Sequence, residues 1–156
     1  MTSRDRYTRL FGESGAALSD EDWITHANDS LPPNLSALNA RIETGFRSDK
    51  VLQMSYRPGG DSFTFIGLSG GCIAEMLDQA AAHCATFVTG HGCPTLSMTV
   101  NYLRAGTGGS FLATARLLNV TRATAFVEAG LTDECGERIA SASVVTHLIR
   151  DISRFN

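Results

Sequence analysis

The residues best placed to do chemistry are a short run, Gly67-Leu68-Ser69-Gly70-Gly71, and an aspartate, Asp78, seven positions beyond its last glycine. From Cys72 to Val88 the apolar residues Ile73, Leu77, Ala80, Cys84 and Val88 recur at steps of three and four, with Met76 and Phe87 beside them. That period predicts one long helix with a broad buried stripe, entered through a tight Gly-rich turn from an extended lead-in, Phe63-Thr64-Phe65-Ile66. Asp78 falls off the stripe, among Ala74, Ala81 and Ala85, small residues that let another backbone come close.

Four chemistries compete for the turn. A phosphate loop would end in Gly-Lys-Ser/Thr, but Gly71 is followed by Cys72. A dinucleotide fingerprint needs a parallel βαβ unit, and antiparallel strand patterns follow instead. Gly67 to Gly71 also matches G-x-S-x-G, with Asp133 and His147 downstream in the order a serine hydrolase uses, which makes Ser69 a candidate nucleophile. That chemistry ordinarily rides on a parallel sheet in a longer chain. The fourth reading needs only what is present. A helix start carries unpaired N–H groups at a positive dipole end, and glycines let a carbonyl approach them as an oxyanion hole. A carboxylate two turns on can activate water or attack the acyl carbon. Thioesters suit such sparse equipment, because sulfur leaves easily and conjugates poorly with the carbonyl.

The elements that must position these groups are legible in outline. Residues 1 to 18 are weakly patterned and read as an arm, either ordered on contact or frayed. Ser19-Asp20-Glu21-Asp22 before Trp23-Ile24 has the cap and first-turn acids of a helix start, with Trp23 as a packing anchor, and the helix stops before Leu31-Pro32-Pro33. Arg41 to Arg47 and Val51 to Arg57 alternate as a hairpin. Pro58-Gly59-Gly60-Asp61 is a turn, and Gly90, Gly92 and Pro94 stop the long helix. After Pro94 the chain is strand. Leu96, Met98, Val100 and Tyr102 form an apolar face against Thr95, Ser97, Thr99 and Asn101. Phe111 to Val120, Ala123 to Thr132 and Arg138 to Ile149 complete a meander. With one long helix to cover this sheet, the helix must cross its concave face, leaving the other face to water or a second subunit.

Composition narrows the classes. With 156 residues, 43% hydrophobic and 19% charged, the chain suits one domain with a real core. A net charge of −3 without a basic run leaves nucleic acid no electrostatic footprint. No apolar run approaches a membrane span, and the start leads into no hydrophobic signal segment. Cys72, Cys84, Cys93 and Cys135 lack CxxC pairing, which fits a reducing cytoplasm. His83, Cys84, His91 and Cys93 cluster in sequence, but at no common zinc spacing, so no metal is expected. His26 and His147 read as structural or surface residues.

Gly70-Gly71-Cys72-Ile73-Ala74-Glu75-Met76-Leu77-Asp78, then Thr95, then Asn101-Tyr102-Leu103-Arg104, resembles the hotdog-fold acyl-CoA thioesterases of the phenylacetic-acid-pathway (PaaI-like) type. That family marks its central helix with a histidine, two glycines and an aspartate seven residues on, then a Ser/Thr near the next strand's start and a closing "YLRP"-like segment. The resemblance runs from about residue 40 to 150 and includes Asp133 to Gly136 before Arg138-Ile139-Ala140. It implies an α+β hotdog fold, an antiparallel sheet of five to six strands wrapped around one long central helix. Residues 1–38 would form an arm and short helix, and 39–150 the core, of a single domain. It also implies a homodimer with a shared active site, and from it a homotetramer. Asp78 would be general base or nucleophile, an N–H of Gly70 or Gly71 would polarise the carbonyl, and Thr95 would position water or acid from across the subunit boundary. Arg104 and Arg122 would meet coenzyme A phosphates; coenzyme A is part of the substrate, and no other cofactor is implied.

Two positions depart from the family. Ser69 replaces its histidine, and Phe63 stands where an asparagine usually lies six residues earlier. Both touch the substrate side of the site, so they bear on rate and on whether the scaffold only binds its acyl-CoA. Phe63 makes the pocket mouth more apolar and favours a medium-chain or aromatic acyl group over acetyl. Glu75, one turn before Asp78, reads as a solvated helix acid, although related hotdog enzymes of the 4-hydroxybenzoyl-CoA thioesterase type can use a helix glutamate.

Overall fold

A computed structural model describes residues 3–151 of the chain. Its sheet contains β1 (Arg41–Phe46), β2 (Val51–Tyr56), β3 (Thr95–Tyr102), β4 (Phe111–Val120), β5 (Thr124–Asp133) and β6 (Arg138–His147). All pairings are antiparallel and the order is β1-β2-β4-β5-β6-β3. The helices are α1 (Ser3–Thr8), α2 (Gly12–Ala16), α3 (Asp20–Asn28) and α4 (Gly70–Thr89), with 3₁₀ turns at Pro33–Leu38 and Gly60–Ser62. A six-stranded antiparallel sheet around one long helix is the expected hotdog fold.

Helix α4 starts where the sequence says it should. Ser69 Oγ accepts the Cys72 N–H at 3.2 Å, and the helix ends at Gly90, whose φ of 70° suits a residue without a side chain. Ile73, Met76, Leu77, Ala80, Cys84 and Phe87 are buried as the period predicts, and Ala81 and Ala85 join them. The helix packs chiefly on β4 and β5 and also meets β2, β6 and β3, so the sheet curls around it and buries more than one stripe. Ala113, Ala115, Ala129 and Ala142, on strands of that sheet, are buried too, and small residues on helix and sheet together allow the close approach.

Two expectations need correction. Residues 3–18 are not an unpatterned arm: α1 and α2 dock, Leu10 is fully buried, and the Leu10 carbonyl accepts the Trp23 indole N–H at 3.0 Å. One long helix does not cover the sheet alone, because α3 packs on β1 and its Trp23 ring stands 5.0 Å from that of Phe87. The extended lead-in, residues 63–66, joins no strand of the sheet. Phe63 and Leu68 make an isolated bridge that closes a loop, and the loop's tip is exposed.

The arm is pinned by a residue the sequence did not single out. Arg47 donates to the carbonyls of Phe87 (3.0 Å), Leu18 (2.9 Å) and Gly15 (3.2 Å) and to Asp20 Oδ1 (2.8 Å). Its guanidinium also lies 4.7 Å from the centre of the Phe87 ring. One planar fork thus ties α2, α3 and α4 together. Arg47→Met keeps the stem but leaves these acceptors unpaired, and should cost about 2–3 kcal/mol in urea denaturation.

Candidate active site

Asp78 sits half-buried two turns into α4, and Thr95 Oγ1 donates to its Oδ1 at 2.5 Å. Simple alternation would send Thr95 to the face opposite Met98 and Val100, which pack toward the core. A bulge resolves this. Thr95 pairs with Thr146, but Ser97 pairs with Val145, so an extra residue, Leu96, is inserted between them. The bulge turns Thr95 onto the helix side and leaves Leu96 60% exposed. Two expectations change with it: Leu96 is not part of the inward face, and Thr95 meets the aspartate of its own chain rather than reaching across a subunit boundary.

The other end of β3 touches the start of α4. Tyr102 Oη donates to the Gly70 carbonyl at 2.9 Å, and the Tyr102 ring lies 3.4 Å from where a Gly70 Cβ would stand. Nothing lies within 4 Å of a Cβ built at Gly71, so its backbone is open to a ligand. Ser69 takes up the N–H groups of Cys72, through its side chain, and Ile73, through its carbonyl. Among the described residues the N–H groups of Gly70 and Gly71 have no partner, which is what an oxyanion hole requires.

The remaining sequence candidates scatter. Phe63 is half-buried with its ring 6.4 Å from that of Phe111, so it shares in the core rather than standing free at a pocket mouth. Arg104 is paired with Glu137 at 3.0 Å on the surface. Arg122, in the β4–β5 turn, lines a groove of about 850 Å³ with Thr95, Leu96, His147 and Arg150. Glu75 Oε1, one turn before Asp78, accepts from the Asn34 amide at 3.1 Å. Cys84 donates to the carbonyls of Ala115 and Lys50, and burial pushes its thiol up to about 12, so it stays neutral packing. The His83 ring is buried with Nδ1 on the Gln79 carbonyl, and burial lowers its pKa.

The serine-hydrolase arrangement is excluded by geometry. Ser69 is the helix cap, and Asp133 Oδ1 accepts the N–H groups of Cys135 and Glu137 in the β5–β6 turn. His147 pairs with Thr124, at the opposite end of β5 from Asp133. Nine residues of strand put ~30 Å between the would-be acid and base.

The stretch that builds this site is also the stretch that sequence comparison matches. The sequence model of the thioesterase superfamily matches residues 67–140, the stretch that carries the glycines, Asp78, Thr95 and β3 to β5. The matched stretch is a little under half of the chain, and the fold built around it is the hotdog fold. Among solved structures, the PaaI protein of the E. coli phenylacetic acid degradation operon superposes with a TM-score of 0.72 at 18% identity, over 81% of this chain and 91% of that one. A putative thioesterase of Ralstonia eutropha, a phenylacetic acid degradation-related protein, gives 0.71 at 24% identity over 76% and 91%. A hypothetical thioesterase from Streptococcus pneumoniae, solved with coenzyme A, gives 0.68 at 19% over 75% and 91%. A search of curated protein sequences finds no match.

Proposed function

We propose that the chain hydrolyses an acyl-CoA or acyl-carrier thioester of a medium-chain or aromatic acid, with Asp78 as general base or nucleophile. The observation that carries this reading is the pair of contacts at the two ends of β3, Thr95 on Asp78 and Tyr102 on Gly70. Seven helical residues put ~10 Å between Gly71 and Asp78 along the axis of α4. A carbonyl must lie ~3 Å from its donor, and the attacking water ~3 Å from its base. The two groups of one chain are therefore too far apart to serve one carbonyl.

A second copy supplies the missing half. β3 is an edge strand whose outer side has no strand partner among the described residues. Antiparallel pairing with its own copy about a two-fold axis sets the Thr95 end of one strand beside the Tyr102 end of the other. Asp78 of one subunit then faces the Gly70-Gly71 turn of its partner, and each dimer holds two complete sites. Leu118 and Phe126, exposed on β4 and β5, offer apolar contact for a tetramer.

Within that site Thr95 holds the Asp78 carboxylate in one orientation, leaving Oδ2 for water. The N–H of Gly71 takes the oxyanion, and the thiolate leaves. Arg122, with Arg150 and His147 along the groove beside Thr95, is suited to coenzyme A phosphates; Arg104 is less free because Glu137 engages it. No cofactor is needed. Cys72, Cys84, Cys93 and Cys135 are free, which suits the cytoplasm, and among the described residues no helix is long and apolar enough to cross a membrane.

Release of free thiol from a panel of acetyl-, hexanoyl-, decanoyl- and phenylacetyl-CoA tests the reading, with light scattering to give the assembly. Turnover by a dimer or tetramer is the expected result. Binding without thiol release would mark a non-catalytic acyl-CoA-binding protein, the reading that Ser69 and Phe63 in place of the family's histidine and asparagine keep open. A stable monomer would remove the shared site altogether.

A further inference from the structure

The loop that leads into α4 ends in a feature the hydrolytic machinery does not use. Phe65 is 111% exposed and Ile66 81%, adjacent large apolar side chains at the tip of a loop. The tip is not slack. Thr64 Oγ1 accepts the N–H groups of Ile66 (3.2 Å) and Gly67 (3.4 Å) and donates to the Gly67 carbonyl (2.9 Å), and the Thr64 N–H closes the turn on that same carbonyl at 2.7 Å. Behind it, Leu68 N–H bonds the Gly106 carbonyl at 2.8 Å and Ser69 N–H bonds the Ser62 carbonyl at 2.9 Å. A Cβ at Gly67 would stand 2.6 Å from the Gly106 oxygen, so only glycine permits this close anchoring. A hydrogen-bonded finger that holds two apolar side chains in water is costly unless something covers them.

We infer that Phe65 and Ile66 of each subunit form the far wall of the acyl pocket in the other, and so set acyl-chain preference. The inference rests on the thioesterase reading and its two-fold pairing of β3. The finger is joined through Ser69 to Gly70, whose carbonyl Tyr102 holds, so it travels with the Tyr102 end of β3. The same pairing that sets this end beside the partner's Asp78 carries the finger there too. A phenyl ring and a branched alkyl group carry no charge for phosphates or a carboxylate. Their chemistry fits the hydrocarbon part of the substrate. Phe63, by contrast, is spent on Phe111. The apolar preference expected from Phe63 thus moves two residues along the loop.

The test uses the intact protein and the variants Phe65→Ala and Ile66→Ala, both at exposed positions where folding does not depend on the side chain. kcat/KM is measured for acetyl-, hexanoyl-, decanoyl- and phenylacetyl-CoA, with inhibition by free coenzyme A and light scattering beside it. Loss of the ring contact should lower kcat/KM for decanoyl- and phenylacetyl-CoA by ~10-fold or more, the worth of burying one such side chain against hydrocarbon. Acetyl-CoA should change less than about twofold, since it has no chain to reach the wall, and inhibition by coenzyme A should not move. Three outcomes overturn the inference: equal loss across the acyl series, unchanged selectivity in an intact dimer, or dissociation of the Phe65→Ala dimer, which would make the finger interface packing. Failure of the thioesterase reading looks different: native protein would release no thiol from any member of the series, and both readings would fall.

Discussion

Asp78→Asn should lower turnover of the preferred acyl-CoA by ~100-fold or more, the usual range for removing a general base. The substitution preserves size, and an amide oxygen can still accept the hydrogen bond that Thr95 donates to Oδ1. Structure and substrate affinity should therefore survive while the group that activates water, or attacks the carbonyl, is gone. If Asp78 is a base, KM should stay near native and kcat should carry the whole loss. Glu75→Gln is the control. Glu75 sits one turn earlier on the same helix, but its carboxylate is engaged by Asn34 while Thr95 donates to Asp78, so turnover of this variant should remain within a few-fold of native. The measurement is steady-state thiol release at saturating substrate. A reversed ranking would move the catalytic acid to Glu75 and leave the Thr95–Asp78 contact a purely structural one.

How far the sequence led depends on the distance over which each feature is decided. Helix α4 was legible because its causes are local: apolar residues at steps of three and four, Ser69 at its cap and Gly90 at its end. The β1–β2 hairpin and the last three strands were legible for the same reason, alternation broken by turn residues. Thr95 was legible as a residue but not as a position. Strict alternation put it on the polar face, and the bulge that turns it inward depends on its pairing with β6, which no local pattern encodes. The arm was missed because it is held largely through its backbone: carbonyls of Leu10, Gly15 and Leu18 accept from Trp23 and Arg47, and a carbonyl has the same identity in every residue. Arg47 stood only as the end of a strand pattern, and nothing local marks its reach to α2, α3 and α4. Phe63 to Ile66 were legible only as an extended lead-in. An apolar, β-prone run is the signature of a strand, yet here it is a loop whose tip the chain alone leaves in water.

Two inactive variants should restore one another's activity when mixed, and this is the sharpest consequence of a site split between subunits. Gly71→Pro removes the N–H proposed for the oxyanion hole, in the first helical turn where that N–H has no helical partner and where nothing lies within 4 Å of a new Cβ. Alone it should cost ~100- to 1000-fold, the range for losing one oxyanion donor. In a heterodimer of Asp78→Asn with Gly71→Pro subunits, one site inherits both lesions and the other inherits neither. Random exchange makes half the dimers mixed, with one good site in two, so co-refolded subunits should recover about one quarter of native turnover. The double variant, carrying both changes in one chain, provides the contrast: mixed with native subunits, its heterodimers have one lesion in each site and are inactive. Differently tagged subunits, purified through both tags, isolate the heterodimers for assay. If Asp78 and the glycine turn of one chain served the same carbonyl, the outcomes would exchange. The two single variants would fail to complement, while the double variant paired with native would keep one working site.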